Sequence, residues 1–167
     1  KMFLESIFNN FDLAVFIMRV TSEEAFIFES INPTHEKLTG LRNDAIAGKQ
    51  AREFLPAELA ETVERNYRRC LEKAATIEYE EMIPFEGRET WWMTRLTPLM
   101  DDDGRVERII GSSTHISRLK RAEQTASSYA SFIATLMDTL PVPVFYKDRN
   151  LKYIGCNRAF EQFLGRD

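Results

Sequence analysis

The chain has 167 residues, 44% hydrophobic and 29% charged, a globular composition with room for one ordinary domain and a smaller piece. Its net charge of −4 argues against a general nucleic-acid footprint. The two cysteines, Cys70 and Cys156, lie far apart without metal-ligand spacing, so no disulfide framework is expected and a reducing cytoplasm is the default. No apolar run approaches the ~18 residues of a membrane span, and no signal-peptide pattern is seen. Lys1-Met2 and Arg166-Asp167 read as cut ends, and the parent protein could still be membrane-anchored.

Phe3, Leu4, Ile7, Phe8 and Phe11 recur at helical spacing, which predicts a short amphipathic helix over 3–11. Strands are predicted from Leu13 to Val20 and from Ala25 to Ile31, around a polar turn. Asn32 is an N-cap candidate with Pro33 at the first helical position, and Gly40 is a left-handed stop. Residues 41–55 read as short and broken. Pro56 opens a longer helix, whose Leu59, Val63, Tyr67 and Leu71 form one apolar stripe. Strands follow from Ile77, from Glu89 to Met100 and from Val106 to Ile116. Glu86-Gly87 and Asp103-Gly104 supply the turns. The fold class is therefore α+β: a five-stranded antiparallel sheet with helices on one face and a cleft between the layers.

At Arg118 the period changes from 2 to 3.5 with no Gly or Pro between. Leu119, Ala122, Ala126, Tyr129, Ile133, Leu136 and Leu140 alternate at spacings of three and four, a heptad seam that predicts a two-stranded coiled coil and hence a homodimer. The competing reading is a helix packed on its own domain. Pro141 ends the helix. Beyond it the chain repeats its own beginning. Ile7, Phe11, Val15 and Phe16 correspond to Leu136, Leu140, Val144 and Phe145 at one constant offset. After a shorter hairpin around Asp148-Arg149-Asn150, Asn32, Leu38 and Gly40 correspond to Asn157, Phe163 and Gly165. The organisation is 1–117 as a complete domain, 118–140 as a linker helix and 141–167 as the start of a second copy. Lacking three strands, that copy should be poorly packed or borrow contacts from a neighbour.

Ile31-Asn32-Pro33 with Leu38-Thr39-Gly40, Trp91 through Asp103-Gly104-Arg105, and Gly111 through Lys120-Arg121-Ala122-Glu123 stand in the order expected of a PAS domain. The chain resembles that family of bacterial sensory modules over about residues 4–124, and its second unit resembles the start of another. There are departures. His115 and Ser117 stand where the family commonly has the Asp and Thr of Asp-Ile-Thr, and Leu41 replaces the usual Tyr. In the family that Asp helps couple the last strand to the exit helix. His115 keeps hydrogen-bonding capacity without a fixed negative charge, which puts the usual coupling in question.

The flavin-binding light-oxygen-voltage branch carries Gly-x-Asn-Cys-Arg-Phe-Leu. Here Gly48-Lys49-Gln50-Ala51-Arg52-Glu53-Phe54-Leu55 places Ala51 at the cysteine position, so no thiol adduct can form there. Haem needs an axial ligand, and residues 56–75 contain no histidine. His35, beside Glu36, reads as a surface or capping residue. Asp101-Asp102-Asp103-Gly104 lacks the distal Glu of a calcium loop and reads as a solvated turn. Glu78 and Glu80 share one strand face, where pairing with Arg88 and Arg95 is the simpler account. Cys70 has no obvious His partner. No metal or catalytic constellation stands out, and no enzyme activity is expected in this stretch.

The resemblance implies sensory input and signal relay to an effector of diguanylate cyclase or histidine kinase type in the same chain. The expected ligand lining, chosen by apolarity and element, is Phe16, Phe28, Leu38, Phe54, Leu59, Val63, Tyr67, Trp91 and Met93. The expected relay runs through His115, Ser117, Leu119, Ala122 and Ala126. No cofactor is expected, neither flavin nor haem, whereas a small-molecule ligand is compatible with the cleft. The alternatives are a ligand-free dimerisation spacer, its core filled by twelve Phe and two Trp, and a redox flavoprotein. Neither nucleic acid nor direct membrane contact is expected.

Overall fold

In the computed structural model, which describes residues 2–85 and 88–165, one buried asparagine fixes how the chain enters its first sheet. Helix α1 spans Met2–Asn10, and strands β1 and β2 span Ala14–Val20 and Phe26–Ile31. Asn32, fully buried, ends β2. Its side-chain oxygen accepts the N–H groups of Val15 and His35 at 2.9 Å each, and its amide donates to the Leu13 carbonyl at 2.8 Å. The second of these contacts caps α2, Pro33–Thr39, as the sequence predicts, and Gly40 closes that helix at φ 73°. The broken stretch becomes α3, Asn43–Ile46, and a single 3-10 turn, Ala51–Glu53.

Helix α4, Ala57–Lys73, buries Ala60, Val63, Tyr67 and Cys70. Leu59 and Leu71 are only partly buried and flank this stripe. The predicted spacing of four lets the stripe drift, whereas the observed 3-4-3 spacing follows 3.6 residues per turn. Strands β3, β4 and β5 span Ile77–Phe85, Arg88–Met100 and Val106–His115. The predicted Glu86-Gly87 turn lies outside the described residues. All pairings are antiparallel, in the order β2-β1-β5-β4-β3. At the second turn, the Asp101 carboxylate accepts the N–H groups of Asp103 and Arg105, with Gly104 at φ 76°. Glu78 pairs directly with Arg95 across β3 and β4, its carboxylate 2.6 Å from one guanidinium nitrogen.

The chain divides into two compact units at Ser117/Arg118. The second contains most of α5, Ser117–Thr139, then β6, Phe145–Lys147, β7, Tyr153–Cys156, and α6, Arg158–Phe163. Asn157 repeats the role of Asn32. It accepts the N–H groups of Val144 and Phe160 and donates to the carbonyls of Met137 and Val142. These partners stand at the repeat positions of Val15, His35, Phe8 and Leu13. Along α5, Leu119, Tyr129, Ile133 and Leu136 are all exposed. Phe145 and Tyr153 stack at 5.3 Å yet also remain exposed.

Candidate functional site

Between the sheet and α2, α4 and the 51–56 segment lies a cavity of about 320 Å³. The seat of one of its walls, Phe16, depends on an absent side chain. Phe16 on β1 faces Gly111 on β5. Its ring lies so close over that glycine that a Cβ there would overlap it. The ring can therefore lie flat on the sheet instead of standing into the interior. Around it gather Phe28 at 5.7 Å and Tyr67 at 6.1 Å between centroids, with Phe54 edge-on to Phe28 at 5.2 Å. Such aromatic pairs contribute beyond their buried area.

Seven of the nine predicted lining residues meet there: Phe16, Phe28, Leu38, Phe54, Leu59, Val63 and Tyr67. Trp91 and Met93 do not. The facing of β4 is the reverse of the expectation: Trp92, Thr94 and Leu96 are buried, and Trp92 and Thr94 line the cavity. By alternation Trp91 and Met93 belong to the opposite sheet face.

The sequence reading also missed a polar side to the cavity. His35, Glu81, Thr94 and Ser113 all line it. His35 is 7% exposed, not a surface residue. Helical spacing offered the signal, since His35 lies one turn before the lining residue Leu38. Its ring is edge-on to Phe16 at 5.8 Å, and Nδ1 is 3.2 Å from Thr39 Oγ1. The Thr39 hydroxyl also donates to the His35 carbonyl at 2.7 Å. Burial pushes the imidazole down to about 4, so it is neutral near pH 7. Glu81 accepts the Thr94 hydroxyl at 2.9 Å, and burial pushes its carboxyl upward. Alternation from Ile77 and Tyr79 already places Glu81 on the inner face. Cys70 is buried, its thiol pushed up by burial and set against the carbonyls of Ala75 and Leu96.

One wall of the cavity leads to the end of β5. Trp92 lies 5.2 Å from the His115 ring, centroid to centroid. His115 Nε2 is 2.8 Å from Ser117 Oγ, the first residue of α5. The Trp91 backbone holds the same junction: its N–H donates to Ser117 Oγ and its carbonyl accepts from Ile116, each at 2.8 Å. His115 and Ser117 are thus brought together. Leu119, Ala122 and Ala126 lie further along α5 and are exposed.

A five-stranded antiparallel sheet in this order, with short helices and one longer helix over one face, defines a PAS fold. The chain belongs to the PAS family: a family model described as PAS fold matches residues 11–121, and one described as PAS domain matches residues 131–167. Solved structures agree in fold. An RNA-binding light-oxygen-voltage receptor matches with TM-score 0.62 at 18% identity, over 78% of this chain and 36% of that one. The PAS domain of Bordetella pertussis BvgS matches with TM-score 0.58 at 16% identity, over 78% and 96%. VqmA bound to DPO matches with TM-score 0.57 at 18% identity, over 69% and 57%. The chain thus spans about a third of the receptor and just over half of VqmA. No curated protein matches it. Among the described residues no helix is long and apolar enough to cross a membrane.

Proposed function

We propose that this chain is the sensory part of a bacterial signalling protein, binding a small molecule in the cavity and passing its occupancy to α5. The single observation that carries the reading is the cavity itself. A volume of about 320 Å³, walled by aromatic rings and a few convergent polar groups, falls within the range of small-ligand sites. A spacer would be expected to fill that space with its own side chains. VqmA, of the same fold, is described with DPO bound.

The relay starts at Trp92, which a ligand touches, and passes through His115 to Ser117 at the start of α5. His115 thereby takes the coupling place of the usual aspartate, through a hydrogen bond instead of a charge. The exposed heptad seam, with weakly packing Ala122 and Ala126, pairs with a second copy and holds two arrangements of similar energy. The effector is a diguanylate cyclase or histidine kinase in the same protein, which acts in the cytoplasm. The chain itself senses and does not catalyse. Its buried thiol lies against the Ala75 and Leu96 carbonyls, and the hydroxyl beside the cavity carboxylate, that of Thr94, is committed to it as a hydrogen-bond donor.

Native mass spectrometry of the purified chain, beside its visible absorption spectrum, tests this. The expected result is a dimer that retains a small molecule, and the bound mass is lost in Val63→Trp, which fills the cavity. An empty dimer in both cases, with no ligand recovered from any growth condition, would favour the spacer. Colour would bring back the flavin reading.

A further inference from the structure

The fold leaves one ionisable group in the cavity half-bonded. Glu81 Oε1 accepts the Thr94 hydroxyl at 2.9 Å. Thr94 has one hydroxyl proton, so the 3.0 Å contact with Ser113 is donated by Ser113. Hydrogen bonds thus point in one direction, from β5 through β4 to the carboxylate on β3. Glu81 Oε2, buried, has no partner among the described residues. Leaving a buried acceptor unmade is expensive, and more so for a charged one. Among the described residues no lysine or arginine lines the cavity to neutralise it. The other titratable groups of the lining, His35 on α2, Tyr67 on α4 and Tyr79 on β3, are neutral near pH 7. Burial holds His35 down at about 4 and pushes both tyrosines further up. The lining also holds the rings of Phe16, Phe28, Tyr67 and Trp92, and aromatic faces attract cations.

We infer that the cavity takes a small protonated amine with an apolar body, its N–H donated to Glu81 Oε2 and its body among the aromatic rings. The inference rests on the sensory reading above and names the ligand class. An anion would meet an uncompensated carboxylate. A neutral alcohol could bond Oε2 but brings no counter-charge to favour the ionised carboxylate. A protonated amine supplies both, and its arrival restores the ionised form that burial disfavours. The hydrogen-bond line makes the site responsive as well as selective. A donor on Oε2 pulls on Glu81 and through Thr94 on Ser113, two residues before His115 on β5.

The test uses three probes of one shape and three charges: 3-phenylpropylamine, 3-phenylpropan-1-ol and 3-phenylpropanoate. Each is titrated by calorimetry at pH 7 into the full chain and into Glu81→Gln, which keeps the side chain's shape and its bond to Thr94. The amine is expected to bind wild type at least about tenfold more tightly than the alcohol, and the carboxylate least tightly. In Glu81→Gln the amine preference should fall to within about threefold, with alcohol affinity retained. Should the alcohol or carboxylate match the amine in wild type, or the preference survive in Glu81→Gln, the amine assignment is wrong while ligand binding stands. If none of the three binds at about 1 mM, the amine assignment is also wrong. The retained-ligand experiment then decides the sensory reading by itself.

Discussion

His35 should make the fold acid-sensitive in a way that one difference experiment isolates. The imidazole is lowered from 6.5 to about 4 by burial against Phe16 and the cavity. Folding therefore favours its neutral form. The resulting stability is fully present above pH 6.5 and is lost as pH falls toward and through 4. At ~1.4 kcal/mol per tenfold change in proton affinity, the loss by pH 4 is about 3 kcal/mol, a large fraction of a typical domain's ~5–15 kcal/mol. Glu81 works the other way. Its carboxyl is raised in the fold, so its protonation on acidification favours the folded state and masks part of the effect in the raw curve. The assay is urea unfolding from pH 7.5 to pH 4 for wild type and His35→Gln. Subtracting the two cancels the carboxylates they share. Wild type should lose about 3 kcal/mol relative to the variant over that window. A difference flat to within about 0.5 kcal/mol would mean that the imidazole is not buried neutral, and the account of the cavity's polar side would fail.

Other outcomes follow from the same geometry. Asn32→Ala removes a helix cap and leaves the Val15 N–H and Leu13 carbonyl without their side-chain partner, so chemical denaturation should report a loss of about 2–3 kcal/mol. Gly111→Ala forces Phe16 off the sheet. Overpacking of this kind costs about 1–3 kcal/mol, and displacing a ring that lines the cavity should lower ligand affinity more than stability. Replacing Ala122 and Ala126 together by Leu should strengthen the α5 seam, giving a tighter dimer by analytical ultracentrifugation and a full-length parent that no longer responds. An unchanged dimer constant and a normal response would refute the seam's role.

The fold was legible because each local signal agreed with the next. Asn32-Pro33, Gly40, Asp103-Gly104 and the change of period at Arg118 each mark an element boundary by its own chemistry. The repeat was legible too, and Asn157 makes the same set of bonds as Asn32. The apolar lining was readable wherever a helix or a clear alternation fixed a face. It failed at Trp91-Trp92-Met93, where three apolar residues in a row give no phase. The true inner position two residues on is Thr94, a polar residue buried because Glu81 and Ser113 satisfy its hydroxyl. Glu81 was passed over for the same reason. In an acidic strand a carboxylate looks like surface, although Tyr79 already fixes the inner phase. Hydropathy finds the walls of such a cavity, whereas the groups that give it selectivity break the hydropathy rule.

Cavity occupancy should change the arrangement of α5 between two copies. A nitroxide at Gln124→Cys, in a Cys156→Ser background with Cys70 left buried, reports the distance between the paired helices by pulsed electron resonance. The measurement is made with and without the molecule that the chain retains on purification. The account predicts a dimer whose distance distribution shifts when the cavity is filled, and no shift once His115→Ala cuts the path from Trp92 to Ser117. A bound ligand with an unchanged distribution, or a chain that stays monomeric at every concentration, would contradict it.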